Sequence, residues 1–137
     1  MGVALLTWSS KYSVGVQSMD NQHTVLFGIL NDLHEAMMKG QAQKTAGSLL
    51  SKLVDYTREH FTAEEGLMAA SGYAGLAQHR ALHCALTRQV DEYAARYSRG
   101  ESTLGPKLLN FLRDWLSNHI QNEDKKYGPC LNDHNLR

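Results

Sequence analysis

Cysteine is scarce, and what is present forms no framework. Among 137 residues there are two, Cys84 inside a helical pattern and Cys130 in the tail, so no disulfide network can be read and a reducing cytosol suits the chain. Cys84 reads as a buried small hydrophobe and Cys130 as an exposed tail thiol. Excess charge of either sign is missing as well. Lys plus Arg number 14, as do Asp plus Glu, which leaves no basic surplus for nucleic acid or an acidic membrane surface. No apolar run approaches ~18 residues, so no membrane insertion is expected. The opening MGVALLTWSS has no basic n-region, and its apolar stretch is too short for a signal peptide. No segment alternates with period two, no repeat is evident and no low-complexity linker divides the chain. These absences leave one expectation: a single soluble, cytoplasmic, monomeric domain over residues 1–137, long enough to bury a core without disulfides.

What is there is helical periodicity. Apolar residues recur at 3.6-residue spacing as Leu26, Phe27, Leu30, Leu33 and Met37, then as Leu49, Leu53, Tyr56, Phe61 and Met68. They recur again as Leu82, Leu86, Val90 and Tyr93, and as Leu108, Leu112, Trp115 and Leu116. The pattern predicts a non-helical arm over 1–18 and helices over about 20–38, 42–70, 76–98 and 104–127, with a tail over 128–137. Asp20 is placed as the cap of the first helix; Gly40, Ser71-Gly72 and Gly100 close the first three; Pro106 is tolerable in the first turn of the fourth. The expected fold class is all-α, an antiparallel up-down-up-down four-helix bundle with an N-terminal arm.

Seven histidines are more than an ordinary core of this size uses. His23, His60, His79, His83 and His119 fall on the apolar stripes, where an unpaired imidazole costs free energy. His60 and Glu64, and likewise His79 and His83, stand four apart on one helix face. Depth is more telling than facing. In an up-and-down bundle the starts of helices one and three lie level with the ends of helices two and four. His23, His60, Glu64, His79, His83, His119 and Asp124 therefore share one layer at one end. A lone imidazole on an apolar stripe is ordinarily a core residue with a local hydrogen bond; five with two carboxylates at one depth point to metal. His34, eleven residues past His23 and ~16 Å further along the helix, belongs to the other end. His134, in the polar tail, is read as non-functional.

Imidazole suits Fe, Cu, Zn and Ni, carboxylates add hardness and can bridge, and the lack of thiolate excludes an iron–sulfur cluster. Seven ligands exceed the needs of one ion, so two are implied. If Glu64 and Asp124 each bridge and one solvent-derived oxide or hydroxide is added, eleven of the twelve positions around two octahedral ions are filled. The twelfth is open to a small exogenous ligand. His119 and Asp124 are five apart, ~140° on a regular helix, so the fourth helix is expected to be distorted there by a π-bulge. Ligand imidazoles must be unprotonated, so metal loading is expected to weaken below pH ~6.5.

The motifs together resemble the hemerythrin family, in its single-domain bacterial form. They are the W-x3-Y-x-V-G-V from Trp8 to Val16, the D-x-Q-H from Asp20 to His23, HFTAEEGLM from His60 to Met68, His79-x3-His83, and WLSNHIQNED from Trp115 to Asp124, with Tyr127 after it. The likeness covers essentially the whole chain. It implies a non-haem di-iron centre with an oxo or hydroxo bridge that binds dioxygen reversibly. By analogy His79, His83 and His119 serve one iron, His23 and His60 the other, and Glu64 and Asp124 bridge both. Dioxygen would be held as hydroperoxide on the open, two-histidine iron. One departure lies in YAGLAQH, which lacks the proline that commonly follows the tyrosine; it bears on the loop and leaves the ligands untouched. Phe61, Trp115, Leu116 and Ile120 flank the ligands and are candidates for a dry wall around the dioxygen site.

The implied role is storage, transport or delivery of dioxygen, including delivery to an oxygen-consuming enzyme, and not enzymatic turnover beyond weak peroxidase-like side activity. A di-iron redox enzyme (peroxidase, nitric oxide reductase or ferroxidase) is the alternative, although oxidase-type bundles use more carboxylates and fewer histidines. An oxygen or redox sensor is the other, and it needs an output module for which only Gly128 to Arg137 remain.

Overall fold

The four amphipathic segments become four rods in a computed structural model, which describes residues 4–40, 43–101 and 104–137. Helix α1 spans Gln17–Met38, α2 Gln43–Ala70, α3 Leu76–Ser98 and α4 Leu104–His119. A π-helical turn, Ile120–Asp124, then carries the fourth rod into α5, Lys125–Asp133. α1 packs on α2 and α4, and α3 packs on α2 and α4, so the rods close an antiparallel square. Among the described residues there is no strand, and no helix is long and apolar enough to cross a membrane. Leu26, Leu30 and Leu33 of α1 meet Leu50 and Leu53 of α2, Leu86 and Val90 of α3, and Leu108 and Leu112 of α4 in one core. Each such side chain contributes about 1.5–3 kcal/mol by leaving water.

The rods stop where the backbone turns left-handed. At the end of α2, Gly72 has φ +67°, its N–H reaches the Ala69 carbonyl and that of Tyr73 reaches Met68. This paired closure satisfies the last carbonyls of the helix and needs a residue without a Cβ penalty. Gly100, at φ +100°, closes α3 in the same manner, with Glu101 N–H on the Arg96 carbonyl.

Two boundaries differ from the periodicity. α1 begins at Gln17, three residues before Asp20, and its N-cap is Val16, which offers no side-chain bond. Asp20 instead accepts from the Val14 N–H (2.9 Å) and Ser13 Oγ (2.7 Å), tying the arm to the first turn. Residues 128–133 are helical rather than tail, because α5 continues through Gly128 and Pro129. The expected start of the second helix at Ala42, like the first three residues of the arm, lies outside the described residues.

The arm is strapped across α1 and α4. Asn31 exchanges two hydrogen bonds with the Leu6 backbone (3.0 and 2.7 Å), Trp8, Tyr12 and Phe27 form an aromatic cluster, and Tyr12 Oη meets Ser117 Oγ at 3.3 Å. A 3-10 turn, Ser10–Tyr12, packs against the π turn Ile120–Asp124. A Cβ on Gly128 would clash with the Val14 carbonyl oxygen. Gly128→Ala is therefore expected to lower the melting temperature by on the order of 10 °C, the scale of an overpacking cost of roughly 1–3 kcal/mol. Thermal unfolding followed by circular dichroism checks this; an unchanged midpoint would mean that the arm yields without cost.

Candidate metal centre

Helical spacing alone brings two pairs of donors onto inward faces: His60 with Glu64 on α2, and His79 with His83 on α3. α1 adds His23, and the fourth rod adds His119 and Asp124. These last two face the same way because of the π turn. The Lys125 N–H donates to the Ile120 carbonyl five residues back, so the turn holds one extra residue and returns Asp124 to the side of His119. All seven side chains are buried, none more than 6 % exposed. They form two overlapping donor groups, Glu64 with His79, His83, His119 and Asp124, and His23 with His60, Glu64 and Asp124. His34 is in neither; His134 is exposed and its Nδ1 lies 2.9 Å from the Cys130 carbonyl.

The two carboxylates face both groups at once. Glu64 Oε1 lies 3.2 Å from His79 Nε2 and 3.1 Å from His83 Nε2, while Oε2 lies 3.4 Å from both His23 Nε2 and His60 Nε2. Asp124 Oδ1 lies 3.0 Å from His79 Nε2 and His119 Nε2, and Oδ2 lies 3.1 Å from His23 Nε2. Each carboxylate thus turns one oxygen toward each histidine group. His119 Nε2 also sits 3.2 Å from His79 Nε2 and 3.3 Å from His83 Nε2. Three nitrogens crowded at that distance repel through their lone pairs unless a proton or a cation lies among them. Donors at right angles around an ion with bonds of about 2.1 Å stand roughly 3 Å apart, which is the spacing seen.

Hydrogen bonding points the same way. Both ring nitrogens of His23, and Asp124 Oδ1, are buried without a properly aligned partner despite the short approaches above. Groups left so in a dry interior are costly, and a metal ion satisfies them. The residues therefore fit a metal, and with only nitrogen and oxygen donors the fit includes iron.

Outer partners orient the rings. His60 Nδ1 donates to the neutral Gln22 Oε1 (2.7 Å), and His83 Nδ1 donates to Glu65 Oε2 (2.8 Å), whose other oxygen meets Arg80 Nε at 3.2 Å. Each bond fixes a tautomer with Nε2 free to face inward. Tyr127 Oη donates to Glu64 Oε2 at 2.7 Å. Gln22, Glu65 and Tyr127 carried no assigned role in the sequence reading. The available signals were adjacency to ligands, in Gln22-His23 and Glu64-Glu65, and the place of all three in the motifs that carry the family resemblance. Replacing Glu65 with alanine is expected to weaken metal affinity about 10–100-fold, the usual effect of losing such a partner; competition with a chelator measures it, and an unchanged affinity would make the Glu65 contact incidental.

Without metal, the charges reorganise around protons. Burial opposes charge on His23 and His79, but the Asp124 and Glu64 carboxylates outweigh it and raise both to about 9. Burial likewise works against ionised Glu64, yet the surrounding imidazoles hold it well below the usual carboxylate range. Asp124 is lowered in the same way against both burial and the Glu64 charge. Burial and the two carboxylates push the Tyr127 phenol well above its ordinary value.

Of the candidate wall residues, Phe61 stacks on His83 (centroids 3.6 Å, 3° between planes) and Trp115 on His119 (4.2 Å, 13°). Leu116 and Ile120 are buried beside them in the chain. The cysteines reverse their expected places: Cys84 is exposed on α3, and Cys130 is half-buried on α5 with Sγ donating to the Ser71 carbonyl at 3.4 Å. Helical phase explains Cys84, which follows the inward His83 by one residue and so turns outward; the unexpected length of α5 explains Cys130.

Comparison with known proteins places this geometry. The family model "Hemerythrin HHE cation binding domain" matches residues 14–131. The chain is 37 % identical to a bacteriohemerythrin of Methylococcus capsulatus (strain Bath) over 130 residues, covering 94 % of this chain and 98 % of that protein. It is 38 % identical to a bacteriohemerythrin of Pseudomonas aeruginosa (strain LESB58), covering 94 % and 83 %. A crystal structure of wild-type hemerythrin superposes with a TM-score of 0.88 at 37 % identity, covering 93 % of this chain and 98 % of the other.

Proposed function

Because the chain belongs to the hemerythrin family, we propose that it binds dioxygen reversibly at a non-haem di-iron centre, for storage, transport or delivery. In this reading His79, His83 and His119 hold one iron, His23 and His60 hold the other, and Glu64 and Asp124 bridge. The observation that carries it is the double facing of the two carboxylates, one oxygen toward each histidine group. The groups are unequal, five donors against four with both carboxylates shared, which leaves the His23–His60 side one donor short. When bound, a ferrous pair would supply the electrons that let dioxygen attach there and leave again.

The protein's own part is orientation and exclusion of water. Gln22 and Glu65 hold His60 and His83 in the tautomers whose Nε2 faces inward, and Tyr127 holds Glu64 by its Oε2. Phe61 and Trp115 cover the outer faces of His83 and His119 with apolar rings. Such a wall slows entry of the water and protons that would leave a ferric, inactive pair. Trp115→Ala removes the ring stacked on His119 and is expected to hasten autoxidation severalfold; the decay of the oxygenated visible band measures it, and an unchanged rate would remove Trp115 from the wall.

The function itself is tested by loading with ferrous iron, admitting oxygen and sweeping with inert gas while recording the visible spectrum. A coloured band that forms and then vanishes is the expected result. One-way conversion to a ferric species would overturn the carrier reading in favour of a redox enzyme or sensor.

A further inference from the structure

Tyr127 is wholly buried, with its hydroxyl turned to Glu64 Oε2. Its ring lies 5.9 Å from that of His79 and, at 82° between planes, 6.5 Å from that of Tyr73. Tyr73 is half-buried, at the head of the YAGLAQH loop. Its place is prepared on two sides. The Tyr73 N–H closes α2 on the Met68 carbonyl, and its ring lies over Gly75, where a Cβ would come within 2.8–2.9 Å of ring atoms. Three rings therefore run from a candidate metal ligand to a side chain that meets solvent.

We propose that this run of rings is an electron route, and that the iron-loaded protein uses it to reduce hydrogen peroxide with phenols that never enter the buried centre. The proposal rests on the di-iron reading. Reduction of one peroxide to two waters breaks the O–O bond and takes two electrons and two protons, the protons drawn from water, which receives an equal number from Tyr73. Two phenol molecules at the surface each give one electron and the hydroxyl proton, their O–H bonds break, and they leave as phenoxyl radicals. Tyr73 relays them one at a time: it passes an electron inward, loses its own phenolic proton to water, and is restored by an electron and a proton from the external phenol. Tyr127 serves as a bridge between Tyr73 and His79 and keeps its own proton, which is donated to Glu64 Oε2 in a hydrogen bond out of reach of water. Trp115, stacked on His119, is the rival outlet. A phenol open to water loses a proton with its electron, which makes its oxidation easier at neutral pH than formation of an indole cation.

The test uses the full chain loaded with iron and oxidised to the ferric state, with iron counted on the same sample. It is mixed with hydrogen peroxide, frozen within milliseconds and examined by electron paramagnetic resonance, with and without ring-deuterated tyrosine. A radical whose hyperfine pattern narrows on deuteration is expected, lost in Tyr73→Phe. In that variant peroxide-driven oxidation of guaiacol is expected to fall on the order of tenfold or more, with iron content and the reversible oxygen band unchanged. A signal insensitive to tyrosine deuteration, a radical lost in Trp115→Phe, or undiminished guaiacol oxidation in Tyr73→Phe would overturn the relay. Two irons with a reversible oxygen band and no tyrosyl radical end the relay alone, whereas a chain that takes up no iron ends both readings.

Discussion

Glu64→Ala is expected to empty both metal positions rather than one. Glu64 faces His79 and His83 with Oε1 and His23 and His60 with Oε2, so a single truncation removes a donor from each group. On the proposed di-iron reading, iron per chain, measured by elemental analysis after reconstitution, is expected to fall from about two to less than about a tenth of that, since loss of a donor that faces both groups weakens both ions together. His60→Ala is the contrast. His60 belongs to one donor group only, so the other position should keep its iron. Glu64→Ala also strands the Tyr127 hydroxyl, which costs about 1–3 kcal/mol as a buried unpaired donor. The metal-free variant should therefore melt below metal-free wild type, and Glu64→Gln, which keeps an acceptor, should recover part of that stability without recovering iron. Two irons retained in Glu64→Ala would remove the bridging assignment.

Removal of iron is expected to lower the melting temperature on the order of 10–20 °C at pH 8, because a ligand that binds only the folded chain at 1,000 times its Kd stabilises by about 4 kcal/mol. The gap should depend on pH in a set direction. In the metal-free protein His23 and His79 are raised from 6.5 to about 9. Their protonation next to Glu64 and Asp124 stabilises the fold; that contribution is fully present below pH 6.5 and is lost as pH rises through about 9. Glu64 and Asp124, with depressed values, stay ionised across this window, and what they contribute is lost only in strong acid. Ligating imidazoles must be free of protons, so iron and protons compete for the same nitrogens. From pH 6.5 to 9 the metal-free form should melt progressively lower, while iron affinity rises by up to about tenfold per pH unit for each proton displaced. Calorimetric melting of both forms at several pH values, with proton release followed by an indicator dye, checks this. A gap that stays constant over the window would mean that the histidines hold no protons when the metal is absent. The window lies above the pH ~6.5 expected from unperturbed imidazole because the two buried carboxylates favour the charged ring.

How much of this was legible in the chain differs from residue to residue. The pairs His60 with Glu64 and His79 with His83 follow from spacing, since a helix sets the relative facing of residues four apart whatever it packs against. The common depth of His23 and His119 follows from the alternation of up and down rods. The strain between His119 and Asp124 was also visible as a mismatch of five residues with 3.6 per turn, and it is resolved by the π turn at Ile120–Asp124. Asp20 misled, because an acidic residue near a helix start suits a cap, whereas here the arm folds back and claims its carboxylate. Gly128-Pro129 misled for a related reason: both residues ordinarily end helices, but the close approach of the Val14 carbonyl requires a residue without a Cβ at Gly128.

The sequence by itself determined the all-α class, the stripes that pack and the layer in which five imidazoles and two carboxylates fall. All of these depend on local periodicity and on chain direction. Only the tertiary structure decided which oxygen of Glu64 faces which histidines, that Gln22 and Glu65 hold the rings, and that Tyr127 and Tyr73 reach from His79 to the surface. Those contacts join different rods, and they depend on how each rod is rotated and shifted against its neighbours. That rotation and shift are set by the packing of the whole core at once.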